Sequence, residues 1–371
     1  MIQKDYTIYC IHEEPFEKMC QSLLDQICTE SQVVKIVFFG SPQNSEEYLE
    51  QLQILNNCVK AHFPNRIPLI TYVSQKPLIG MLNAEVVCLT NSVEVDIFYG
   101  DNYVIFNDGN CRELITGGVL PPDISAPFSD QSDIVFSMIE KILASENFQI
   151  GNIVRQWNYI ENITLFDNGR QHYQDFNDSR SRFYNKAVWI SGYPAATGIG
   201  TQQGGIMVEI IAICDKVKIN KALDNPLQVP AHRYSQQVLL GEPDPFLKNH
   251  ATPKFERARI VGSLDNQTVF ISGTAAIRGE NSCFTDDVVE QARITMENID
   301  NLISSENYPL SYQSKAYKLL RVYVKNNDQM GEVQDYMQAS YPGINTIYIC
   351  ADVCRQELLL EIEGIAEVNA F

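Results

Sequence analysis

The chain repeats itself. Residues 138–148 read MIEKILASENF, and residues 298–308, 160 positions later, read NIDNLISSENY. Both segments close a helical pattern. In the first, Ile134, Val135, Met138, Ile139 and Ile142 recur at helical spacing. In the second, Val288, Val289, Ala292, Thr295, Met296, Ile299 and Ile303 do so. Ser132-Asp133 and Asp286-Asp287 supply the polar and acidic residues that suit a helix start.

The order of elements repeats as well. A strand-like run follows each helix: residues 153–160 (IVRQWNYI) and 319–324 (LLRVYV). A second amphipathic helix is predicted over 170–184 and again over 329–340. Each copy then ends on a strand of the form apolar-Glu-Ile, at 207–213 (MVEIIAI) and 359–365 (LLEIEGI). Strand candidates precede each set, at 34–39, 69–73 and 86–89 for the first copy and at 257–261 and 268–272 for the second. Strands gathered on one side and helices on the other define an α+β layer architecture. The polar, Pro-bearing stretch from Asp215 to Pro230 is the expected boundary. The expected division is residues 1–215, a linker over 216–230, and residues 231–371.

A length of 371 residues accommodates this, and 45% hydrophobic content supplies sizeable cores. Acidic residues outnumber basic ones 46 to 28, and a net charge of −18 argues against a general nucleic-acid binder. No apolar run is long enough to span a membrane. The ten cysteines are scattered singly, without a CxxC pair, as expected of reduced thiols in the cytoplasm. The five histidines show no metal-ligand spacing, and no metal or other cofactor is expected. No G-x-S-x-G elbow occurs. Residues 197–201 (TGIGT) lack the lysine of a phosphate loop, so close backbone approach to a ligand or a neighbouring strand is the better reading.

Glu361 is the most informative position. It lies at alternating phase in an otherwise apolar strand, with Glu363 on the same face. A desolvated carboxyl keeps its proton to higher pH, as a general acid near neutrality requires. The same pattern equally suits an interface glutamate paired with an arginine, and Glu209 is its counterpart in the first copy. Cys354, seven positions earlier, is either a small core residue or a site residue. Arg155, Arg233, Arg257 and Arg278 are either surface ion-pair partners or, where two or three converge, a dicarboxylate site.

At these residues the chain resembles a known family. The duplicated pattern is similar to two copies of the YjgF-like (chorismate-mutase-like) fold, each a mixed sheet packed by helices on one face. Over roughly residues 150–371 it resembles more closely the chorismatases. The motifs are VRQWNY at 154–159, YQDFNDSR at 173–180, YPAATGIG at 193–200, NPLQVPAHRY at 225–234, FERA at 255–258, SGTA at 272–275 with Gly279-Glu280, ADVCR at 351–355 and LEIE at 360–363. His232 stands where an aromatic Tyr is frequent in the family, and Arg278 where an apolar residue is common.

The resemblance implies a cofactor-independent enzyme of lyase or hydrolase type. It would convert chorismate to pyruvate and a hydroxybenzoate, 3-hydroxybenzoate first among the isomers. It implies Glu361 as the catalytic acid and Cys354 as the residue that separates the hydroxybenzoate-forming branch from its relatives. Arg257, Arg233, Tyr193, Thr274 and Glu280 fall in motifs around the substrate. The only partner implied is the small-molecule substrate. YjgF-like proteins are commonly trimers with interfacial pockets, so a homotrimer and a monomer are both open. Two other readings stand beside this one: an imine or enamine deaminase of the same fold, and a non-catalytic small-ligand-binding protein. The small deaminases carry an arginine just before their last strand, and residues 345–348 here (NTIY) have none.

Overall fold

The computed structural model describes the chain except residues 1, 13–14, 29–31, 91–94, 168, 215–216, 240–249, 284–285 and 370–371. Three mixed sheets follow one another along it. The first contains β1 (Lys4–Ile11), β2 (Val33–Gly40), β3 (Leu69–Ser74) and β4 (Leu82–Leu89), with helices α1 (Phe16–Leu24) and α2 (Ser45–His62). The second contains β5 (Asp96–Tyr99), β6 (Tyr103–Asn107), β7 (Arg112–Thr116), β8 (Ile153–Glu161), β9 (Ala195–Thr201) and β10 (Ile206–Ile213), with α3 (Phe128–Ser145) and α4 (His172–Tyr184). The third contains β11 (Ile219–Leu223), β12 (Ala258–Gly262), β13 (Asn266–Thr274), β14 (Ser314–Val324), β15 (Thr346–Cys350) and β16 (Leu360–Asn369), with α5 (Val288–Leu302) and α6 (Met330–Ser340).

Strand order is the same in the second and third sheets: β5-β6-β7-β10-β8-β9 and β11-β12-β13-β16-β14-β15, with Lys76–Pro77 added at the far edge of the latter. The duplicated YjgF-like α+β fold read from the sequence is borne out. In each copy a helix crossover joins two parallel strands, β8 with β9 and β14 with β15, and the closing strand returns antiparallel between older neighbours. The first sheet, β1-β4-β2-β3, repeats the last four strands of that order and lacks the first two, at the outer end of the meander.

Two expectations are corrected here. The strand candidates at 34–39, 69–73 and 86–89 do not belong to the copy that contains α3; they build the separate first sheet. That copy draws its own meander from β5, β6 and β7, whose short, mixed stretches carry weak alternation. Ile219–Leu223, placed in the linker by its polar composition, pairs along its whole length with β12 as an edge strand. The expected boundary at 215–216 itself lies outside the described residues.

Alternation along the strands assigns each sheet two apolar faces. Ile36 and Phe38 face α1 and α2, Ile153 and Ile160 face α3 and α4, and Leu320, Val322 and Val324 face α5 and α6. The opposite faces, with Val34, Val37, Phe39, Val154, Trp157, Tyr159 and Tyr323, meet in one shared central core. Sheet interfaces therefore run through the interior. Any charge placed on these inner faces is buried and needs a partner from a neighbouring sheet. Asp287 caps α5 by accepting from the Glu290 N–H at 2.9 Å. α3 begins four residues before the Ser132 start expected, directly after Pro127, and Ser132 instead donates back to the Phe128 carbonyl.

Candidate active site

Glu361 lies on β16 between Leu360 and Ile362, both of which face the helices. Its own side chain therefore points into the sheet interface and is only 6% exposed. The register of β13 against β16 shifts between Ile271 and Thr274, a bulge that brings Gly273 beside this carboxyl. Two side chains sew the second sheet to the third at this point. The Gly273 N–H donates to Thr197 Oγ1 at 3.0 Å, and Ser272 Oγ accepts from the Ala196 N–H at 2.9 Å.

A cleft of about 820 Å³, its mouth included, opens between the two sheets. One wall is α4 and β9, with Tyr173, Asn177, Arg180 and Gly198. The other is Arg257, Gly273, Ala275, Cys354, Arg355 and Glu361. Tyr234 and Phe255 close one side.

Burial pushes the Glu361 carboxyl up to about 8, Glu363 adds to this, and Arg257 and Arg155 oppose it. Among the described residues no hydrogen bond reaches the Glu361 carboxyl. Glu363, two positions on, takes hydrogen bonds from Arg155, Trp157, Thr197, Arg321 and Tyr323. Burial alone would raise Glu363, but Arg155 and Arg321 outweigh it and hold the carboxyl below its ordinary range. Two carboxyls on one strand face are thus driven apart, one kept as an acid and one as an anion. Burial, with help from Glu361, raises the Cys354 thiol to about 12, so it is an uncharged wall of the cleft.

The cleft carries guanidinium groups that no carboxylate among the described residues satisfies. Arg257 Nη2 donates to the Val229 carbonyl and to the Tyr234 hydroxyl, both at 2.7 Å, and its buried Nε has no partner. Arg180 is 2% exposed, donates to Asn177 Oδ1, and also leaves its Nε without a partner. Arg355 donates to the Glu280 carbonyl at 2.9 Å and lies 5.3 Å from the Tyr234 ring centroid. A buried cation without a counter-ion is costly, and an anionic ligand is what such a cleft lacks.

Of the site residues expected from sequence, the structure brings Glu361, Cys354 and Arg257 together. The other four lie elsewhere. Arg233 is exposed on a short turn over Ala231–Arg233, outside the cleft, and its neighbour Tyr234 points in instead. Tyr193 packs in an aromatic cluster with ring centroids 5.8 Å from Tyr184 and 5.6 Å from His232. Thr274 alternates away from Gly273 and Ala275 and bonds the Ser272 carbonyl. Glu280 accepts from the Ser235 N–H and hydroxyl, each at 2.9 Å, and so ties down the loop bearing Tyr234. Arg155 belongs to the buried network of Glu363, and Arg278 forms an exposed ion pair with Glu297 at 2.8 Å. Arg180, Tyr173 and Asn177 went unmarked, although 173, 177 and 180 share one face of α4 at i, i+4 and i+7.

The fold and cleft define a duplicated YjgF-like protein with a buried acid facing an arginine-lined cavity. Comparison with known proteins agrees. Residues 118–212 match the family described as Chorismatase FkbO/Hyg5-like, N-terminal. A 3-hydroxybenzoate synthase of Streptomyces hygroscopicus is 31% identical over 229 residues, which cover 59% of this chain and 65% of that protein. A chorismatase of the same organism is 27% identical over 256 residues, covering 67% and 70%. The alignment thus spans just under two thirds of the first relative. A crystal structure of a chorismatase matches in fold with a TM-score of 0.68 over 98% of each chain, at 19% identity. The likeness to the chorismatase family drawn from the motifs is borne out.

Proposed function

We propose that the protein is a cofactor-independent enzyme that cleaves chorismate to pyruvate and a hydroxybenzoate, with 3-hydroxybenzoate as the product isomer. The observation that carries this reading is Glu361: a buried carboxyl with a pKa raised to about 8, in a cleft where, among the described residues, nothing hydrogen-bonds it and the arginines have no carboxylate partner. Chorismate bears two carboxylates and an enolpyruvyl ether. Arg257 and Arg180 are the groups placed to hold the carboxylates. Arg180 takes the role that sequence suggested for Arg233, because Arg180 lines the cleft and Arg233 does not.

Glu361 then delivers its proton to the terminal methylene carbon of the enolpyruvyl group. The electron pair of the C=C bond forms the new C–H bond, and the adjacent carbon becomes an oxocarbenium centre. The ring's 4-hydroxyl oxygen then bonds to ring carbon 3 and gives its proton to the Glu361 carboxylate. At the same time the ether bond at carbon 3 breaks, and its electron pair goes to what becomes the keto oxygen of the departing pyruvate. Opening of this epoxide at carbon 4, loss of the carbon 3 hydrogen as a proton and protonation of the oxygen left on carbon 3 give 3-hydroxybenzoate. The two products together hold the atoms of chorismate, which fits a lyase. General acid assistance of this type supplies roughly 10²–10⁴-fold. The Glu361 carboxylate left behind lies within the field of Arg257 and Arg155, which favours the transfer. Cys354 shapes the ring's environment and so steers the product.

Ten free cysteines support a reducing, cytoplasmic setting. Among the described residues no helix is long and apolar enough to cross a membrane. Three sheets meeting within one chain supply internal interfaces, which supports the monomer of the two oligomeric readings. The direct test is incubation of purified protein with chorismate, following pyruvate release and the aromatic product by chromatography. Glu361→Gln should abolish both while the fold persists. Near-normal turnover by that variant would reject the assignment.

A further inference from the structure

The central strands of the three sheets carry a base at one equivalent position, and the closing strands carry an acid at another. Pair registers fix the equivalence. Val37 faces Glu85, Trp157 faces Glu209, and Tyr323 faces Glu361. Two residues before each facing residue stand Lys35, Arg155 and Arg321. All six charged side chains point into the shared core and are buried.

These charges pair between sheets in cyclic order. The base of the first sheet, Lys35, meets the acid of the second, Glu209, at 2.7 Å. The base of the third, Arg321, meets the acid of the first, Glu85, through two bonds of 2.7 and 2.8 Å. Continued once more, the pattern would join Arg155 of the second sheet to Glu361 of the third. It does not. Arg155 Nη2 bonds Glu363 and Thr197. Glu363 faces Arg321 in the register; its counterparts are Ile211, which faces Arg155, and Val87, which faces Lys35. An acid therefore stands in the third sheet where the other two have apolar residues.

We propose that Glu363 is a positioning residue: it holds the Arg155 guanidinium that the cyclic pattern would otherwise deliver to Glu361, leaving Glu361 unpaired and free to act on a ligand. Geometry gives Arg155 the capacity to do otherwise. Its Nε and Nη1 are buried without partners among the described residues, and its guanidinium lies 4.4 Å from the Trp157 ring centroid. Thr197 couples the two halves of the site, because its Oγ1 accepts from Arg155 and from the Gly273 N–H beside Glu361 while donating to Glu363. The titratable and charged groups that act on Glu361 or feel its charge are Glu363 on its own strand, Arg155 on β8, Arg257 just before β12, Cys354 in the preceding loop and Tyr173 on α4. Arg257 is tied to Val229 and Tyr234, which leaves Arg155 as the cation whose placement Glu363 decides.

This inference deepens the reading above and rests on it only for its kinetic consequence. The experiment follows the protonated-carboxyl infrared band of the resting full-length protein against pH, assigned by its loss in Glu361→Gln. In the wild type the band should persist to about pH 8. In Glu363→Gln it should vanish about 1–3 pH units lower, as a carboxyl beside an unshared arginine does. With chorismate, kcat above pH 8 should fall roughly tenfold per unit of that shift, with KM little changed. Simple loss of repulsion from Glu363 would also lower the band, so a cycle with Arg155→Met separates the two causes. If Arg155 is the agent, Glu363→Gln made in the Arg155→Met background shifts the band far less. Glu363→Asp keeps the charge and the neutral network but withdraws it by one methylene, and it should still shift the band downward. It serves where Glu363→Gln does not fold. An unmoved band in Glu363→Asp, or an equal shift with and without Arg155, overturns the proposal. Absence of pyruvate from a wild type whose band titrates near pH 8 would reject the reaction and leave the role of Glu363 standing.

Discussion

Gly273 lies directly against the carboxyl of Glu361. A Cβ built at position 273 would overlap that carboxyl's oxygen and come within 2.8 Å of its carbon. The backbone there is not in the left-handed region, so the space rather than the conformation calls for glycine. Gly273→Ala should therefore fold, because the side chain end of Glu361 can move aside. It should nevertheless lose most of its activity, approaching the roughly 10²–10⁴-fold that acid catalysis supplies. Steady-state turnover alongside a thermal melt checks this; a normal kcat would show that the acid need not lie where it does.

The raised carboxyl of Glu361 makes stability depend on pH in a defined direction. The unfolded chain releases this proton near 4.5, whereas the folded protein keeps it to about 8. Between those values the native state binds one more proton than the unfolded state, so this residue's contribution to stability falls as pH rises across that window. The loss is about 1.4 kcal/mol for each unit of separation. Glu361→Gln should consequently melt higher than the wild type at pH 8, and the difference should close toward pH 4. An equal Tm difference at both pH values would contradict the assigned protonation state.

Much of this arrangement was legible in the sequence because it rests on periodicity. Glu361 interrupts an apolar strand at the phase of the buried face, and that alone marks a desolvated carboxyl. The duplicated order of helices and strands was equally visible, since both copies keep their hydrophobic spacing. Side-chain direction at loop residues was not. Arg233 and Tyr234 are adjacent on a short turn, and only the fold decides that the tyrosine faces the cleft. Thr274 and Gly273 differ in the same way, through a bulge that no pattern announces. The first sheet was misassigned because it lacks the two outer strands that make the other copies recognisable.

Arg180 and Arg257 should set affinity for the substrate. A hydrogen bond to a charged group is worth about 1.5–3 kcal/mol, or roughly 10–150-fold. Arg180→Met and Arg257→Met should each raise KM by that order. Arg233→Met, altering an exposed side chain outside the cleft, should leave KM unchanged within experimental scatter. The three KM values measured side by side decide which arginines meet the substrate. A large effect at Arg233 alone would move the carboxylate site out of the cleft.

Cys354 lines the cleft as an uncharged thiol, close enough to Glu361 for that carboxyl's charge to raise it further. Replacement by alanine removes bulk and a weak donor without adding charge, so the acid keeps its setting. Cys354→Ala should therefore still release pyruvate while changing the proportion of aromatic to non-aromatic carboxylic acid formed. Chromatographic separation of the products reads this directly. An unaltered product ratio would remove Cys354 from any steering role.

Arg321 joins the first sheet to the third through its two bonds to Glu85 and also reaches Glu363 at 3.2 Å and the Tyr159 hydroxyl at 3.0 Å. It lies far inside the shared core, 3% exposed. Removing one member of a buried pair strands the other as an uncompensated charge, at a cost of about 3–5 kcal/mol. Arg321→Met should lose stability of that order in urea unfolding. Replacing the pair together, as Arg321→Met with Glu85→Leu, should recover much of it, because apolar side chains of similar volume suit this interface. Should the double variant prove no more stable than the single one, the pair would not be what holds these sheets together.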